Sequence, residues 1–556
     1  MIGWIVTATL LAGGPPDEGT SIYESPLPPE PTGEIDRVVF PRLASLGLKP
    51  ALCSDAVFLR RVYLDVLGTI PTPEEVRQFL QDPDAKNKRR LLIDRLLERP
   101  EYAEYWAMRW GDVLRIKAEF PVNLWPNAAQ AYHRWVRASL ASNKPYDRFA
   151  RELLTSSGSN FRVGPVNFYR AVQSKTPESL AAAVALAFMG TRVDAWPAER
   201  LKGMAAFFSQ VGYKPTAEWK EEIVFWDPFR STSVPGNAAP GLDAVRSVVK
   251  ASALTPQAPP AAAPPPKAVF PDGREITLPP DRDPREIFAD WLITPKNPWF
   301  TRSIVNRVWA WLLGRGVIHE PDDLRDDNPP SLPGLLECLE KELVAGKYDL
   351  KRLLRTILNS STYQFSSQPR LLRPGAEGLF ASYPLRRLEA EVLIDAINKV
   401  TGTADFYSSP IPEPFTNIPK GEPAVAIGDG SITSPFLALF GRSARATGMT
   451  NERDPKPLPA QWLYLLNSRE IQQKIEQGPA LRAVWDPARK PREIVEELYL
   501  RILSRPPTEE EVKKIESYGT PAPAARPGRS AGGKKRKEWT DIAWALVNST
   551  EFLYRH

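Results

Sequence analysis

The sequence predicts a mainly α fold, in which two helical domains are joined by a Pro/Ala-rich linker and the second domain begins with a small β-hairpin. Apolar residues recur at helical spacing through most of the 556-residue chain, and several of these runs begin at a capping residue. The stretch PQAPPAAAPPP separates the runs into two groups, and only Ala268 to Leu278 has a clear hairpin pattern, with Asp272-Gly273 as its turn. A chain of this length is expected to need more than one core.

The predicted domain boundaries follow changes in composition. Residues 1–32 contain an apolar run and a Pro-rich leader, and residues 33–231 form the N-terminal helical domain. Residues 232–267 are rich in Pro, Ala, Gly and Ser and are predicted to be an exposed linker, because such a segment buries little apolar surface. Residues 268–556 form the C-terminal helical domain, in which residues 519–537 are predicted to be a disordered insertion. We expect the two domains to pack independently.

One capping pattern occurs twice, once near each end of the chain. Residues 63–76, YLDVLGTIPTPEEV, match residues 499–512, YLRILSRPPTEEEV, in register. In each copy a threonine precedes a glutamate by three positions, the spacing at which the two residues cap a helix reciprocally. The pattern predicts that Thr72 and Thr508 are the N-caps of equivalent helical hairpins. The alternative is that a capping box between two amphipathic helices produces this match without a duplication.

The best-bounded helix is predicted in NPWFTRSIVNRVWAWLLGRG, residues 297–316. Asn297 can cap this helix, Pro298 suits its first position and Gly314 can end it. Its apolar stripe is typical of a buried helix. An acidic loop, EPDDLRDDN at residues 320–328, follows at once. Charged groups are therefore gathered beside a buried helix.

This helix and its loop form the candidate functional surface. The side chains expected to lie together there are Arg302, Asn306, Arg307, Asp322, Asp323, Arg386 and Arg387. Guanidinium and carboxylate groups beside a core must either pair or bind something, because an unpaired charge in such a place is costly. The first case is a structural clamp, and the second is a binding site for a cation, a hydroxyl-rich ligand or a partner.

Composition and motifs argue against several classes of function. The formal charge of +6 arises from 72 basic and 66 acidic residues, and much of it can lie in residues 534–537, so no nucleic-acid surface is predicted. The sequence has no GxSxG, GxxxxGK[ST] or HExxH motif, and no catalytic residue is predicted. Cys53 and Cys338 are far apart, and the three histidines lack metal-ligand spacing. We therefore predict no disulfide framework, no metal and no other cofactor.

The N-terminal run Ile2 to Leu11 is apolar and is followed by small residues and a Pro-rich stretch. The run is too short to span a membrane, and no membrane span is predicted. It has the character of the apolar region of a signal peptide but lacks the usual preceding Lys or Arg. From these residues alone, a signal peptide and a frayed apolar terminus or misassigned start both remain open.

Longer strings resemble the planctomycete two-domain proteins of unknown function, in which a cytochrome-associated domain precedes a planctomycete-specific domain. The first domain is matched by FLRRVYLDVLGTIPTPEEV and EYAEYWAMRWGDVLR, and the second by NPWFTRSIVNRVWAWLLGRGVI and PAQWLYLLNSREI. The resemblance extends from about Glu34 over nearly the whole chain. It implies an exported protein of the periplasm or cell envelope, often accompanied by cytochrome-like domains and polymer-degrading enzymes, whose activity is not established.

The chain departs from the family pattern at the haem. Relatives usually carry a CxxCH-type haem-attachment string before the segment matched here by Ala195-Trp196, and a second cysteine-containing string after the FGR motif. The corresponding residues here are 188–196, FMGTRVDAW, and 446–453, ATGMTNER, which contain no cysteine or histidine. Covalent c-type haem needs two thiols and an axial ligand, so the comparison predicts that this member has lost the haem. The joint loss suggests that the two strings form one redox or metal unit in relatives.

The sequence is therefore interpreted as a haem-less binding or assembly component of an exported protein system. The expected partner is another exported protein of the same gene neighbourhood, and a polysaccharide is a second candidate. The alternative is an enzyme or accessory protein acting on carbohydrate polymers, whose carboxylates would include Asp322 and Asp323. A concave, aromatic-lined cleft with converging carboxylates would favour the enzyme, and a shallow exposed apolar patch would favour assembly.

Overall fold

The computed structural model describes residues 21–118, 124–230, 266–370, 376–411, 414–454, 456–486, 488–518 and 536–556. The fold is mainly α, as predicted, with three small antiparallel sheets in the described part of the chain. No helix in these ranges is both long enough and apolar enough to cross a membrane. The predicted linker lies outside the described residues except for its last two positions, and so do residues 1–20.

The helices follow the amphipathic runs of the sequence. The α-helices described before the predicted linker are Glu34–Ser45, Asp55–Leu67, Pro73–Gln81, Lys88–Leu97, Pro100–Val113, Pro126–Ala141, Tyr146–Thr155, Pro177–Val184 and Ala198–Ala205. Those described after it are Pro284–Leu292, Phe300–Leu313, Pro333–Ala345, Leu350–Leu358, Ala390–Thr401, Pro435–Leu439, Pro459–Asn467, Arg469–Gln477, Pro479–Val484, Pro491–Leu503, Glu509–Ser517, Arg536–Val547 and Thr550–Leu553. Helix Arg536–Val547 begins within the last two positions of the predicted insertion, and residues 519–535 lie outside the described ranges.

Short turns of other helix types connect these elements. Ala185–Met189 is a π-helix, and the 3₁₀ turns are Gly164–Tyr169, Val193–Ala195, Ala206–Phe208, Ala376–Leu379, Ala424–Ala426 and Thr450–Glu452. The π-helix continues Pro177–Val184 directly and ends at Gly190, whose φ of 61° is in the left-handed region that glycine adopts without strain.

The strands form three separate sheets. The largest has Glu222–Trp226 in the middle, between Gly158–Ser159 and Val211–Pro215, and places Tyr213 opposite Val224. The predicted hairpin is confirmed: Lys267–Val269 pairs with Glu275–Thr277, with Ala268 opposite Ile276. The last sheet pairs Arg386–Arg387 with Tyr554–Arg555, with Arg386 opposite Arg555. This pairing brings Tyr554–Arg555 to the candidate site.

The two domains share one hydrophobic core. Buried residues from both sides of the predicted linker form a single continuous cluster. Trp311 packs edge-on against Trp106 and Trp110, with ring centroids 5.6 and 5.7 Å apart, and Phe300 stacks on Tyr146 at 4.8 Å. The expectation of independently packed domains is therefore wrong, because the best-bounded helix of the second domain buries its aromatic face in the first.

The capping boxes form as predicted. The Thr72 hydroxyl accepts the Glu75 N–H at 3.2 Å, and the Glu75 carboxylate accepts the Thr72 N–H at 2.8 Å. The corresponding distances between Thr508 and Glu511 are 3.2 and 2.7 Å. Both threonines are therefore N-caps of helices.

The best-bounded helix, here called the central helix, is Phe300–Leu313 and begins two residues later than predicted. The N-cap position is Trp299 and not Asn297, although the Asn297 side-chain oxygen accepts the N–H groups of Trp299 and Phe300 at 3.0 and 3.2 Å. Gly314 ends the helix with a φ of 71°.

Candidate functional site

The central helix presents Arg307 to the acidic loop. Arg307 is fully buried, and its Nη2 lies 3.0 Å from Asp322 Oδ1. The same guanidinium donates to the carbonyls of Leu186 and Ala187 in the π-helix, at 3.0 and 2.8 Å. The second oxygen of Asp322 accepts the Thr450 backbone N–H at 2.6 Å. The Arg307–Asp322 pair therefore ties the central helix to two distant segments of the chain.

Two other predicted residues of the central helix have different contacts. The Asn306 side chain donates to the Ile318 carbonyl and accepts the Ile318 N–H, both at 2.9 Å, so it fixes the backbone just before the acidic loop. Arg302 is partly exposed and lies 2.7 Å from Glu340. Arg302 therefore pairs with a neighbouring helix and does not join the Arg307–Asp322 pair.

The two carboxylates proposed for catalysis are each held in ion pairs. Asp323 lies 2.9 Å from Arg325 and 3.3 Å from Arg192, whereas Asp322 is buried against Arg307. A glycosidase needs two carboxylates that face a bound sugar. The geometry of Asp322 and Asp323 does not provide such a pair.

Arg386 and Arg387 line a cavity of about 630 Å³, which we call the basic cavity. Its lining includes six cationic side chains, namely Arg109, Arg315, Arg386, Arg387, Arg453 and Lys456. Three carboxylates line it as well, namely Glu320, Glu389 and Asp454. The cavity therefore holds an excess of positive charge, which attracts anions.

The deepest carboxylates around the basic cavity are matched by guanidinium groups. Glu389 contacts Arg109 and lies 2.5 Å from Arg555. Burial would raise the pKa of Glu389, but these two guanidinium groups outweigh it and hold the pKa well below its ordinary value. Glu391 is buried as well, and Arg453 at 2.6 Å contributes most to lowering the pKa of Glu391 to about 2. These buried carboxylates are therefore ionised and paired.

Two arginines of the basic cavity lack such a match. Arg387 is 7% exposed and donates from Nη2 to the carbonyls of Phe440 and Asp454, at 2.8 and 3.1 Å. Its Nε and Nη1 are buried without a partner, and this burial lowers the pKa of Arg387. Arg315 makes no ion pair within the described ranges, and its Nε is also buried without a partner. A carboxylate, sulfate or phosphate group can accept from such donors.

A second cavity, of about 270 Å³, has the opposite character. Its lining includes Glu101, Asp395 and Glu422, together with Thr69 of the first capping hairpin. Asp395 accepts the N–H groups of Ala424 and Val425 at 2.8 and 3.0 Å, and burial raises its pKa to about 7. In the part of the chain that the structure describes, no group of His, Cys, Asp or Glu is placed to hold a metal ion.

Three cavity arginines were not predicted from the sequence. Arg315 has a local signal, since it stands between two glycines directly after the central helix. Arg109 and Arg453 have none, because the carboxylates that they contact, Glu389 and Glu391, are 280 and 62 positions away in the sequence.

Family comparisons agree with the order of the two domains. Residues 34–211 match the model of PSCyt2, described as a protein of unknown function (DUF1549), and residues 284–518 match that of PSD1, described as a protein of unknown function (DUF1553). Neither a curated protein nor a solved structure matches the chain. The chain therefore belongs to the planctomycete two-domain proteins, in which a PSCyt2 domain precedes a PSD1 domain.

Proposed function

We propose that the protein is a binding and assembly component whose basic cavity receives an acidic group of a partner. Arg387 carries this proposal, because it is more than nine-tenths buried, lines the cavity and has two nitrogens without a partner. A buried donor left without an acceptor costs about 1–3 kcal/mol, and more for a charged group. Arg315 supports the same conclusion at the wall of the cavity.

The rival function, an enzyme or accessory protein acting on carbohydrate polymers, has no comparable support. Asp322 and Asp323 are engaged by arginines, and Asp322 is 4% exposed. A general acid or a nucleophile has to reach the bond that it acts on. The contacts of these two residues support the clamp interpretation of the Arg307–Asp322 pair.

The test of the binding function is a calorimetric titration with inorganic sulfate in a chloride-balanced buffer. We expect wild type to bind sulfate and Arg387→Gln to bind it about tenfold more weakly or worse, since a hydrogen bond to a charged group contributes about 1.5–3 kcal/mol. Arg315→Gln removes a less buried donor and should weaken binding while changing the free energy of unfolding by less than about 0.5 kcal/mol.

Arg302→Gln is the matched control, because Arg302 pairs with Glu340 and is not part of the cavity lining. This variant should bind sulfate as wild type does. Absence of sulfate binding by a monomeric form of the protein, or a sulfate affinity of that form that Arg315→Gln leaves unchanged, would contradict the proposal.

We also propose that this member works without covalent haem. The segments that carry cysteine strings in relatives, residues 188–196 and 446–453, are both tied to the acidic loop: Leu324 N–H donates to the Gly190 carbonyl at 2.9 Å, and Thr450 N–H donates to Asp322 at 2.6 Å. The acidic loop is therefore hydrogen-bonded to both segments and supports a link between them that needs no haem. The purified protein should show no Soret band in denaturant, and a band that survives denaturation would refute the proposal.

Export is the last part of the proposed function. The apolar run Ile2 to Leu11 and the family resemblance support a signal peptide and a location in the periplasm or cell envelope. Fractionation of native cells should place the protein outside the cytoplasm. N-terminal sequencing of that protein should show that it begins after the apolar run. An intact Met1 in the cytoplasmic fraction would contradict export.

A further inference from the structure

The helix Pro459–Asn467 is apolar on its outer face as well as its inner one. Leu465 faces inward and is buried, whereas Trp462, Leu463 and Leu466 are 37%, 59% and 46% exposed. These three residues are neighbours on one side of a helix, because positions separated by three or four residues share a face. A helix that is apolar all round is normally covered, and a cluster of exposed apolar side chains marks an interaction surface.

Basic groups flank this apolar face. Lys456 precedes the helix and Arg469 follows it, and both side chains are exposed and without an ion pair within the described residues. Lys456 also lines the basic cavity, so the apolar helix begins at the rim of that cavity. Lys456 therefore connects the start of the apolar helix to the basic cavity.

The acidic loop borders the same cavity from another side. Glu320 and Pro321 line the cavity, and the loop continues to Asp326 and Asp327, which are exposed. Asp326 has no ion pair within the described ranges, and Asp327 has only a long contact of 3.6 Å, to Arg325. The basic cavity is thus bordered by the residue that precedes the apolar helix and by the start of the acidic loop.

We infer that the partner of this surface is a second copy of the same chain. In a two-fold dimer the same surface of each copy faces the other copy. Every contact between two different parts of that surface is therefore made twice. Helix Pro459–Asn467 packs on its mate, and the acidic loop of each copy covers the basic cavity of the other. This inference rests on the proposed function, since it identifies the acidic group that the cavity receives with the loop carboxylates of the second copy.

The first test is the mass in solution, measured by sedimentation equilibrium. Wild type should be a dimer of the 62.1 kDa chain. Leu463→Ser should give a monomer with the far-UV circular dichroism of wild type, because this side chain is mostly exposed in one copy. Leu91→Ser is the control, since Leu91 is 49% exposed on helix Lys88–Leu97, outside this surface, and this variant should remain dimeric.

The second test reverses the charges. Asp326→Lys with Asp327→Lys makes the loop basic, and Lys456→Glu with Arg469→Glu makes the opposite side acidic. Each double variant alone brings like charges together in the dimer and should be monomeric. Mixed in equal amounts, the two variants should form a heterodimer, because both of its loop contacts then join opposite charges.

The two proposals fail in different ways. A wild type that stays monomeric up to roughly 100 μM, where micromolar affinity would give dimers, overturns the second copy as partner. A dimer that persists in Leu463→Ser, or a mixture of charge variants that stays monomeric, overturns this arrangement as well. Sulfate titration of the monomeric Leu463→Ser variant tests the cavity separately, and its loss would instead contradict the proposed function.

Discussion

In the hairpin at residues 63–76, the capping glutamate Glu75 lies 2.7 Å from Arg99. Arg99 also contacts Glu101 and sits over the ring of Tyr63, with 5.7 Å between the guanidinium carbon and the ring centroid. The side chain of Arg99 is 27% exposed. This hairpin therefore surrounds its cap with an ion cluster that water reaches.

In the hairpin at residues 499–512, the capping glutamate Glu511 lies 2.7 Å from Arg505. Arg505 lies 2.6 Å from Glu551 and 5.3 Å from the ring centroid of Tyr499. Two glutamates, an arginine and a tyrosine therefore form this cluster as well, but its arginine is only 6% exposed.

The arginines of the two clusters come from different places in the sequence. Arg505 corresponds in register to Thr69 of the first hairpin, whereas Arg99 stands just before helix Pro100–Val113. The two hairpins therefore place the same charges around the capping glutamate. They differ in the sequence position of the arginine that supplies the positive charge. Structural equivalence of two repeats is better judged by such clusters than by matching residues.

The largest expected difference between the hairpins is the loss of each arginine. Arg505→Ala should lower the free energy of unfolding by about 3–5 kcal/mol, because it leaves Glu511 and Glu551 without their cation in a largely buried cluster. Arg99→Ala should cost about 1 kcal/mol, since water screens its partners. Urea denaturation measures both values, and equal costs would show that burial does not separate the two clusters.

Acid should weaken both hairpins in the same direction. Burial would raise the pKa of Glu75 and of Glu511, but the cap hydrogen bonds and the arginines outweigh it, so both pKa values lie below 4.5. A carboxyl whose pKa is lower in the folded state contributes stability above its unfolded pKa, and this stability is lost as the pH falls below about 4.5. Unfolding measured from pH 6 to pH 3 should show this loss.

The acid response also separates the two arginines. Arg505→Ala should reduce the part of the pH dependence of unfolding that comes from Glu511. Arg99→Ala should reduce the part that comes from Glu75 and Glu101. A variant with the full wild-type slope would mean that its arginine does not set the pKa of the capping glutamate.

A smaller and nearly equal effect is expected from the caps themselves. Thr72→Ala and Thr508→Ala should each cost about 0.5–2 kcal/mol, because each removes the hydroxyl that accepts an N–H at 3.2 Å. Replacement by Ser keeps the hydroxyl and is the control. Thermal unfolding of the four variants measures both costs. If only one of the two Thr→Ala substitutions lowered the stability, the equivalence of the two caps would be contradicted.

The smallest effect is a rescue. Thr69→Arg places an arginine at the position of Arg505 and beside the second cavity, whose carboxylates include Glu101. Added to Arg99→Ala, it should recover at least half of the lost stability of about 1 kcal/mol, whereas Thr69→Gln should recover none. Failure of the arginine to outperform the glutamine would show that the two positions are not interchangeable.

Features with local causes were predictable from the sequence. The cap of Thr72 by Glu75 and the turn at Asp272-Gly273 depend on residues within a few positions, and both were predicted. The Arg307–Asp322 pair spans 15 positions, and its charged residues stand out beside an apolar helix. These signals are visible because the interacting groups occur in one short stretch.

Features that join distant segments left no such signal. Gly158–Ser159 becomes an edge strand only because it pairs with Glu222–Trp226. A strand of two residues is too short to show the alternation of apolar and polar residues by which strands are predicted. Most of the basic cavity is likewise built from arginines whose partners are in other parts of the chain, such as Arg109 with Glu389. The shared core has the same origin, since amphipathic periodicity shows which face is buried and not which helix covers it.

The burial of Arg555 has a consequence for biosynthesis. Its guanidinium lies 2.8 Å from Asp65 in helix Asp55–Leu67 and 2.5 Å from Glu389, and Asp65 precedes it by 490 positions. At a translation rate of about 5–20 residues per second, roughly 25–100 s separate the synthesis of the two residues. During that interval the nearest cation available to Asp65 is Arg386, at 3.5 Å, so the protease resistance of the nascent chain should rise further once residue 555 has left the ribosome.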